Sequence, residues 1–187
     1  MIGWLIERPL AAFERRWHYP MDYARTLLRA SRRGFWRFAR VMPLAAWRDG
    51  VPLAAWHAAK LVAVRAEDCG PCTQLVVDMA RADGVPDALL RALLHDDAAT
   101  LQALDANTAM AAHFARCWST GAPGLADARD AVRQRFGERG LASLALAMSG
   151  ARLFPMIKSA LGHAEACHRV QVGDQPLAPA PLRQTGA

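Results

Sequence analysis

The sequence predicts an all-α protein. Apolar residues recur at helical spacing from Ile2 to Leu161, and prolines or glycines separate the segments in which they do so. No segment alternates apolar and polar residues as a half-exposed strand would, and we find neither an internal repeat nor a glycine-rich phosphate-binding loop. The chain has 187 residues, 53% of them hydrophobic and 21% charged, which is sufficient for one helical domain with its own core.

The first residues of the chain, 1–50, are predicted to form an N-terminal helical extension. Residues 2–17 have the apolar periodicity of a helix, and the Tyr-Pro pair that follows should end it. A second helix should start at a capping Asp22, continue to about Met42, and bend at Gly34.

Positive charge is concentrated in the first third of the chain. Residues 1–65 have a net charge of +8, whereas residues 66–187 have a net charge of −2. We interpret the arginines of the extension as the solvated side of amphipathic helices, with a docking face for a partner or phospholipid as the alternative. No nucleic-acid-binding motif accompanies this charge, so we expect no nucleic-acid partner. Membrane contact by the basic helices is the less favoured alternative.

The chain shows no clear targeting signal. No uninterrupted apolar run reaches the roughly 18 residues of a membrane span. The N-terminus lacks the apolar core and cleavage site of a signal peptide, and four cysteines are too few for a disulfide-based scaffold. These observations predict a cytoplasmic location.

Residues 51–170 are predicted to form the main helical domain, and residues 171–187 a flexible tail. The helix boundaries follow from proline or aspartate near each start and glycine after each end. Gly137 and Gly140 should flank a break, and Pro155 should kink the last helix. The predicted helices cover residues 53–66, 71–83, 86–94, 105–118, 125–136 and 141–161.

Cys69 and Cys72 form a C-x-x-C pair at the predicted start of the helix over residues 71–83. A helix N-terminus stabilises a thiolate through its dipole and its unpaired N–H groups, and the thiolate is the reactive form of cysteine. The pair is therefore a candidate redox centre. By this argument Cys69, which lies nearer the helix end, should be the more acidic thiol.

Three other interpretations of the pair remain open. A thioredoxin fold would place the motif after a strand, whereas helical sequence precedes it here. A zinc site would take its remaining ligands from His163, Cys167 and His168. A structural pair would be buried as two small apolar side chains. We favour redox chemistry and expect no stoichiometric zinc.

Other polar or reactive side chains are interpreted as structural. Cys117 and His113 lie in the apolar segment 105–118 and are expected to pack in the core. Gln74 is expected to be exposed. The six tryptophans are expected in the core or at a subunit interface.

Several segments together resemble a known family. A helix leads into the C-x-x-C pair, and the stretches "DGVPDALLRALL", "TAMAAHFARCW" and "RFGERGLASLALAMSGARLF" follow in that order. Over residues 53–161 this arrangement is similar to the alkylhydroperoxidase D-like proteins of the carboxymuconolactone decarboxylase superfamily. The resemblance implies an all-helical bundle of that type, assembled as a trimer or a multiple of it. It also implies reduction of peroxides, or disulfide exchange, by the cysteine pair.

The resemblance implies roles for the two cysteines, but other working residues of the family are missing. Cys72 would be the attacking thiol and Cys69 the resolving one, in contrast to the dipole argument. The family has a glutamate twelve residues before the first cysteine, where this chain has His57. Its two histidines correspond to Pro71 and Val76.

A different base is therefore needed for the thiol proton. Glu67 lies two residues before Cys69, and an imidazole at His57 can accept a proton near neutral pH. We hypothesise that Glu67, with His57 behind it, takes the thiol proton. Both residues have an ordinary structural alternative, as a helix histidine and as an acid at a helix N-terminus.

The sequence thus predicts a thiol-disulfide redox protein that reduces a peroxide or a disulfide through Cys69 and Cys72. It should need an external thiol reductant but no bound cofactor or metal. The alternative is a non-catalytic, oligomerising helical module that docks a partner through its basic helix. The missing histidines favour that alternative, whereas the C-G-P-C tetrapeptide favours the redox protein.

Overall fold

The computed structural model describes residues 2–166 and 169–182, and the all-α prediction is confirmed. In chain order the elements are α1 (Ile2–Trp17), α2 (Asp22–Ala30), α3 (Arg32–Ala39), α4 (Met42–Ala46), α5 (Leu53–Arg65), α6 (Gly70–Ala82), α7 (Asp87–His95), α8 (Ala98–Leu104), α9 (Ala106–Thr120), α10 (Leu125–Ala160), β1 (Val170–Val172) and β2 (Gln175–Leu177). Among the described helices, the sequence did not predict α4 or α8, and Asp97 caps α8 by accepting a hydrogen bond from the Thr100 N–H.

The centre of the fold is α5, whose residues from Ala55 to Arg65 are all buried. Its sequence LAAWHAAKLVAVR is apolar nearly all round, and a helix without a polar face must be covered on every side. It packs against α6, α7, α9 and α10. Any polar residue on α5 is therefore held inside the bundle, and this helix carries His57 and Lys60.

The N-terminal extension consists of short helices. Ser31 is extended, with φ −157° and ψ 106°, and its hydroxyl accepts a hydrogen bond from the Gly34 N–H at 3.0 Å. The predicted bend at Gly34 is therefore wrong, because the break falls where Ser31 caps α3. The predicted cap at Asp22 is also wrong, since Met21 is the N-cap of α2 and no side chain caps this end.

The longest helix, α10, is interrupted at Gly137, which has φ 70° and ψ 179°. The predicted break is thus confirmed, and only glycine adopts this backbone conformation readily. Among the described helices, α10 alone is long and apolar enough to span a membrane by length and composition. Its interruption and its packing against α5 and α9 match a helix of a bundle core.

The C-terminal segment is ordered onto the bundle as far as the structure describes it. Strands β1 and β2 form an antiparallel hairpin, and the side chains of Val170 and Val172 are buried. Gln74, expected to be exposed, is partly buried. Its Nε2 donates a hydrogen bond to the Gln171 carbonyl, and its Oε1 accepts one from the Gln171 N–H. The Ala180 N–H donates to the Leu94 carbonyl at 2.9 Å. Residues 170–177 thus form a hairpin that the sequence did not predict.

Asp105 offers a local test of helix capping. Its carboxylate accepts hydrogen bonds from the backbone N–H groups of Asn107 and Thr108 at the start of α9. Asp105→Ala should lower the free energy of unfolding by about 1 kcal/mol, because these donors lose their partner. Urea unfolding followed by circular dichroism measures the change. Asp105→Asn keeps an acceptor and should cost less, so equal losses for the two variants would contradict the capping role.

Candidate functional site

The C-x-x-C pair lies at the start of α6, as predicted. Cys69 is the N-cap, with an extended backbone, and Pro71 occupies the first turn, where its missing N–H costs nothing. The two sulfurs are 2.20 Å apart and form a disulfide. Both residues are buried: Cys69 has no exposed surface, and the exposed fraction of Cys72 is 3%.

The two sulfurs of the pair have different surroundings. Cys69 does not line the large cavity that Cys72 lines, and the Gly70 N–H beside it donates to the Glu165 carbonyl, so the segment before residue 167 covers this end of α6. Cys72 lines a large cavity, and its Sγ lies 3.5 Å from the Tyr19 hydroxyl. A molecule in the cavity can therefore reach the disulfide only at Cys72.

The cavity has a volume of about 350 Å³ and lies between the N-terminal extension and the faces of α5, α6 and α10. This volume is within the range of small-molecule binding sites. Its wall is mostly apolar and aromatic, and Met42 and Asp83, both exposed, place its mouth at the surface. The polar or ionisable side chains that line it are Arg16, Tyr19, Tyr23, His57, Lys60, Cys72 and Asp83.

The wall beside Cys72 is built from aromatic rings that join the extension to the bundle. Tyr19 meets both Phe13 and Tyr23 edge to face, and Phe38 continues the row from Tyr23 to Phe154 on α10. Burial raises the pKa of Tyr19 to about 12 and also raises the pKa of Tyr23. Both phenols therefore stay protonated at neutral pH, and Tyr19 can donate a hydrogen bond to a Cys72 thiolate.

His57 is buried in the cavity wall, and its Nε2 lies 2.7 Å from Oδ2 of Asp83. Burial lowers the pKa of His57, and the hydrogen bond to Asp83 only partly opposes this effect. The ring is neutral at pH 7, so Nε2 carries the proton that it donates to the carboxylate. Nδ1 then has a free lone pair, and it has no hydrogen-bond partner in the described part of the chain.

The hydrogen bond with Asp83 also fixes how far His57 lies from the disulfide. Asp83 ends α6, eleven residues after Cys72, which corresponds to about 16 Å along the helix. Because α5 and α6 are consecutive and antiparallel, His57 lies at the far end of the cavity from Cys72. The predicted partnership of His57 with the cysteines is therefore limited to a shared cavity.

Glu67, the other predicted base, lies outside the cavity wall. Its Oε1 lies 2.5 Å from Nε of Arg152, and this arginine stacks over the ring of Trp118 on α9. The carboxylate is thus paired with a cation on α10. Of the four predicted site residues, Cys72 and His57 line the same cavity. Cys69 is joined to Cys72 by the disulfide but does not line the cavity, and Glu67 is paired with Arg152.

The remaining candidates for metal or thiol chemistry are dispersed. Cys117 is buried, with its Sγ 3.6 Å from Nε2 of His113, and burial raises its pKa. His163 Nε2 lies 3.0 Å from the Thr26 hydroxyl, and Cys167 and His168 lie outside the described residues. Within residues 2–166 and 169–182, no three His, Cys, Asp or Glu side chains are placed to hold a metal ion.

Two lysines are functional candidates that were not recognised in the sequence. Lys60 and Lys158 are the only lysines among 23 basic residues, and both are buried. Lys60 Nζ lies 3.9 Å from the ring centroid of Trp56, and burial lowers the pKa of this lysine to about 8. Lys158 Nζ lies 5.0 Å from the ring centroid of Tyr19. The rarity of lysine in an arginine-rich chain was the available signal.

No family model, curated protein or solved structure matches this chain. A buried disulfide presents one sulfur to an apolar cavity, next to a protonated phenol. At the far end of the cavity lie a neutral imidazole, an ammonium and a carboxylate. This arrangement suits thiol chemistry on a molecule with an apolar body.

Proposed function

We propose that the protein is a thiol-disulfide redox protein that reduces a peroxide or a disulfide, with Cys72 as the attacking thiol and Cys69 as the resolving thiol. One observation carries the proposal: the two sulfurs are at bonding distance, and only Cys72 lines the cavity. The resemblance to the alkylhydroperoxidase D-like proteins assigns the same two roles. The position of Cys69 outside the cavity outweighs the dipole argument that favoured it, because an attacking thiolate must reach its substrate.

For a peroxide, the Cys72 thiolate attacks the terminal oxygen and the O–O bond breaks. The leaving alkoxide takes a proton from water and departs as an alcohol, and Cys72 becomes a sulfenic acid. The Cys69 thiol then attacks the Cys72 sulfur, which forms the disulfide and releases water. Two thiols of an external reductant, themselves oxidised to a disulfide, restore the pair.

Cys72 itself has two sources of thiolate stabilisation within reach. It lies in the first turn of α6, where the helix dipole favours negative charge, and the Tyr19 hydroxyl is 3.5 Å from its sulfur. Neither Glu67 nor His57 forms a hydrogen bond with either sulfur, so the base hypothesised from the sequence gains no support from the geometry. In this proposal the dipole and Tyr19 replace the missing family histidines.

The proposal predicts a reversible disulfide. Protein reduced with dithiothreitol under nitrogen and then treated with one equivalent of tert-butyl hydroperoxide should lose two hydrogens from its cysteine pair. Mass spectrometry of the tryptic peptide covering residues 66–81, which contains both cysteines, measures the loss. Cys117→Ser, which removes a buried free thiol of the described part of the chain, should behave like the wild type. A pair that stays reduced under these conditions would contradict the proposal.

A second candidate function is a non-catalytic module that docks a partner through the extension. Exposed apolar side chains on α3, on α4 and at the C-cap of α4 favour it, namely Trp36, Met42, Leu44 and Trp47. The same extension carries exposed arginines on α2 and α3. This module would need no redox chemistry, so unreactive cysteines in the experiment above would leave it as the better account.

A further inference from the structure

The wall of the cavity as a whole carries an excess of positive charge. Three charged side chains line the cavity, Arg16, Lys60 and Asp83, so two cations face one carboxylate. Asp83 already accepts the hydrogen bond of His57. An anionic group entering here would balance the charge of the cavity wall.

Lys60 forms no hydrogen bond or ion pair with the described residues. Only 7% of this residue is exposed, and within the described part of the chain its ammonium has the Trp56 ring as its contact, with Asp83 acting on it from a longer distance. A largely desolvated ammonium without a hydrogen-bonded counterion is costly. A ligand carboxylate would supply both the negative charge and the acceptors that this group lacks.

The wall between Lys60 and the disulfide is apolar. On α6 the side chains of Leu75, Val76 and Met79 line the cavity between Cys72 at one end and Asp83 at the other. The two ends are separated by about 16 Å along the helix. The space thus suits a molecule with an extended hydrocarbon body and a single charged end.

We propose that the cavity binds a long-chain carboxylate, with its carboxylate at Lys60 and its chain extending towards Cys72. Only the reaction depends on the proposed function. If the protein reduces peroxides, its substrate class would be fatty-acid hydroperoxides. Cys72 takes the terminal oxygen of the hydroperoxide, the product is the hydroxy fatty acid, and Cys69 closes the disulfide with release of water, as for any peroxide above. Binding itself requires no redox step.

Binding of three twelve-carbon probes to the disulfide form tests the inference. Isothermal titration calorimetry should show dodecanoate binding at least about tenfold more tightly than dodecanol and dodecylamine, because only the carboxylate pairs with Lys60. Lys60→Met should remove this preference while dodecanol binding is kept. Arg139→Met, which removes an exposed positive charge on α10 away from the cavity, should keep the preference. Equal binding of all three probes, or none, would overturn the inference.

A second experiment separates the substrate class from the proposed function. Reduced protein should be oxidised at least about tenfold faster by linoleic acid hydroperoxide than by its methyl ester. Reduced Lys60→Met should be oxidised by the two compounds at equal rates. Equal rates for acid and ester in the wild type would overturn the carboxylate inference and leave the redox function standing. Reaction with neither hydroperoxide, together with tight dodecanoate binding, would refute the redox function and leave the carboxylate site standing.

Discussion

Cys72→Ser is expected to reduce peroxide turnover to the rate measured without protein. The reason is geometric as well as chemical, since Cys72 is the one sulfur of the pair that a molecule in the cavity can reach. A serine hydroxyl is not ionised at neutral pH and cannot replace a thiolate nucleophile here. Consumption of tert-butyl hydroperoxide in the presence of excess dithiothreitol measures the loss.

Cys69→Ser should give a different defect, and the contrast tests the assigned roles. Cys72 should still react once, but its sulfenic acid has no resolving thiol and persists. Trapping with dimedone should label the peptide of residues 66–81 at one adduct per chain. Cys117→Ser serves as the matched control and should turn over normally. If Cys72→Ser formed the trapped sulfenic acid instead, the roles of the two cysteines would be reversed.

Lys60→Met is expected to raise the free energy of unfolding by about 3 kcal/mol at pH 7. Burial lowers the pKa of Lys60 from its ordinary 10.5 to about 8. A difference of this size corresponds to about 3 kcal/mol of cost for keeping the charged form in the folded protein. Methionine retains an apolar stem of similar length without the charge. A lysine that destabilises the unliganded protein in this way is what we expect if Lys60 serves to bind the carboxylate ligand.

The pH dependence gives this prediction its sign. Below pH 8 the lysine is protonated in both states, so the folded wild type bears the full cost. Between pH 8 and 10.5 the folded state releases the proton first, the unfolded state binds more protons, and wild-type stability rises with pH relative to the variant. Above pH 10.5 the advantage of Lys60→Met should approach zero.

Urea unfolding of the wild type and Lys60→Met at pH 7, 9 and 10.5 measures the difference directly. Arg139→Met removes an exposed charge and should stay within about 0.5 kcal/mol of the wild type at every pH. A Lys60→Met variant that is less stable than the wild type at pH 7 would contradict the cost of burying this charge. A difference that did not change with pH would also contradict it.

Predictions from the sequence succeeded where the interaction is local. The start of α6 follows from the position of Pro71 in the first turn, and the break in α10 from the backbone freedom of Gly137. The break in the extension was placed at Gly34, but Ser31 ends α2 by capping α3. Both residues can interrupt a helix, and the spacing of apolar residues did not distinguish them.

Residues distant in the chain were the ones that sequence reasoning missed or misplaced. Tyr19 meets Cys72 across 53 positions, and the pairing of Glu67 with Arg152 spans 85. No local sequence pattern marks such pairs. Glu67 was predicted to be a base from its chemistry and its position beside Cys69, but in the structure its carboxylate pairs with Arg152 on α10. The hairpin strands are three residues long, too short to show an alternating pattern.

The sequence by itself determined the helical class, most helix boundaries and a cysteine pair at a helix start, because each depends on residues within about one or two turns of one another. Only the tertiary structure decided which sulfur faces a cavity and which charged groups share it. The extension packs over α5, α6 and α10, and this packing encloses the space, buries Lys60 and brings Tyr19 to Cys72. Such contacts arise when whole helix faces meet, so they depend on the shape of every face involved and not on the spacing within any one segment.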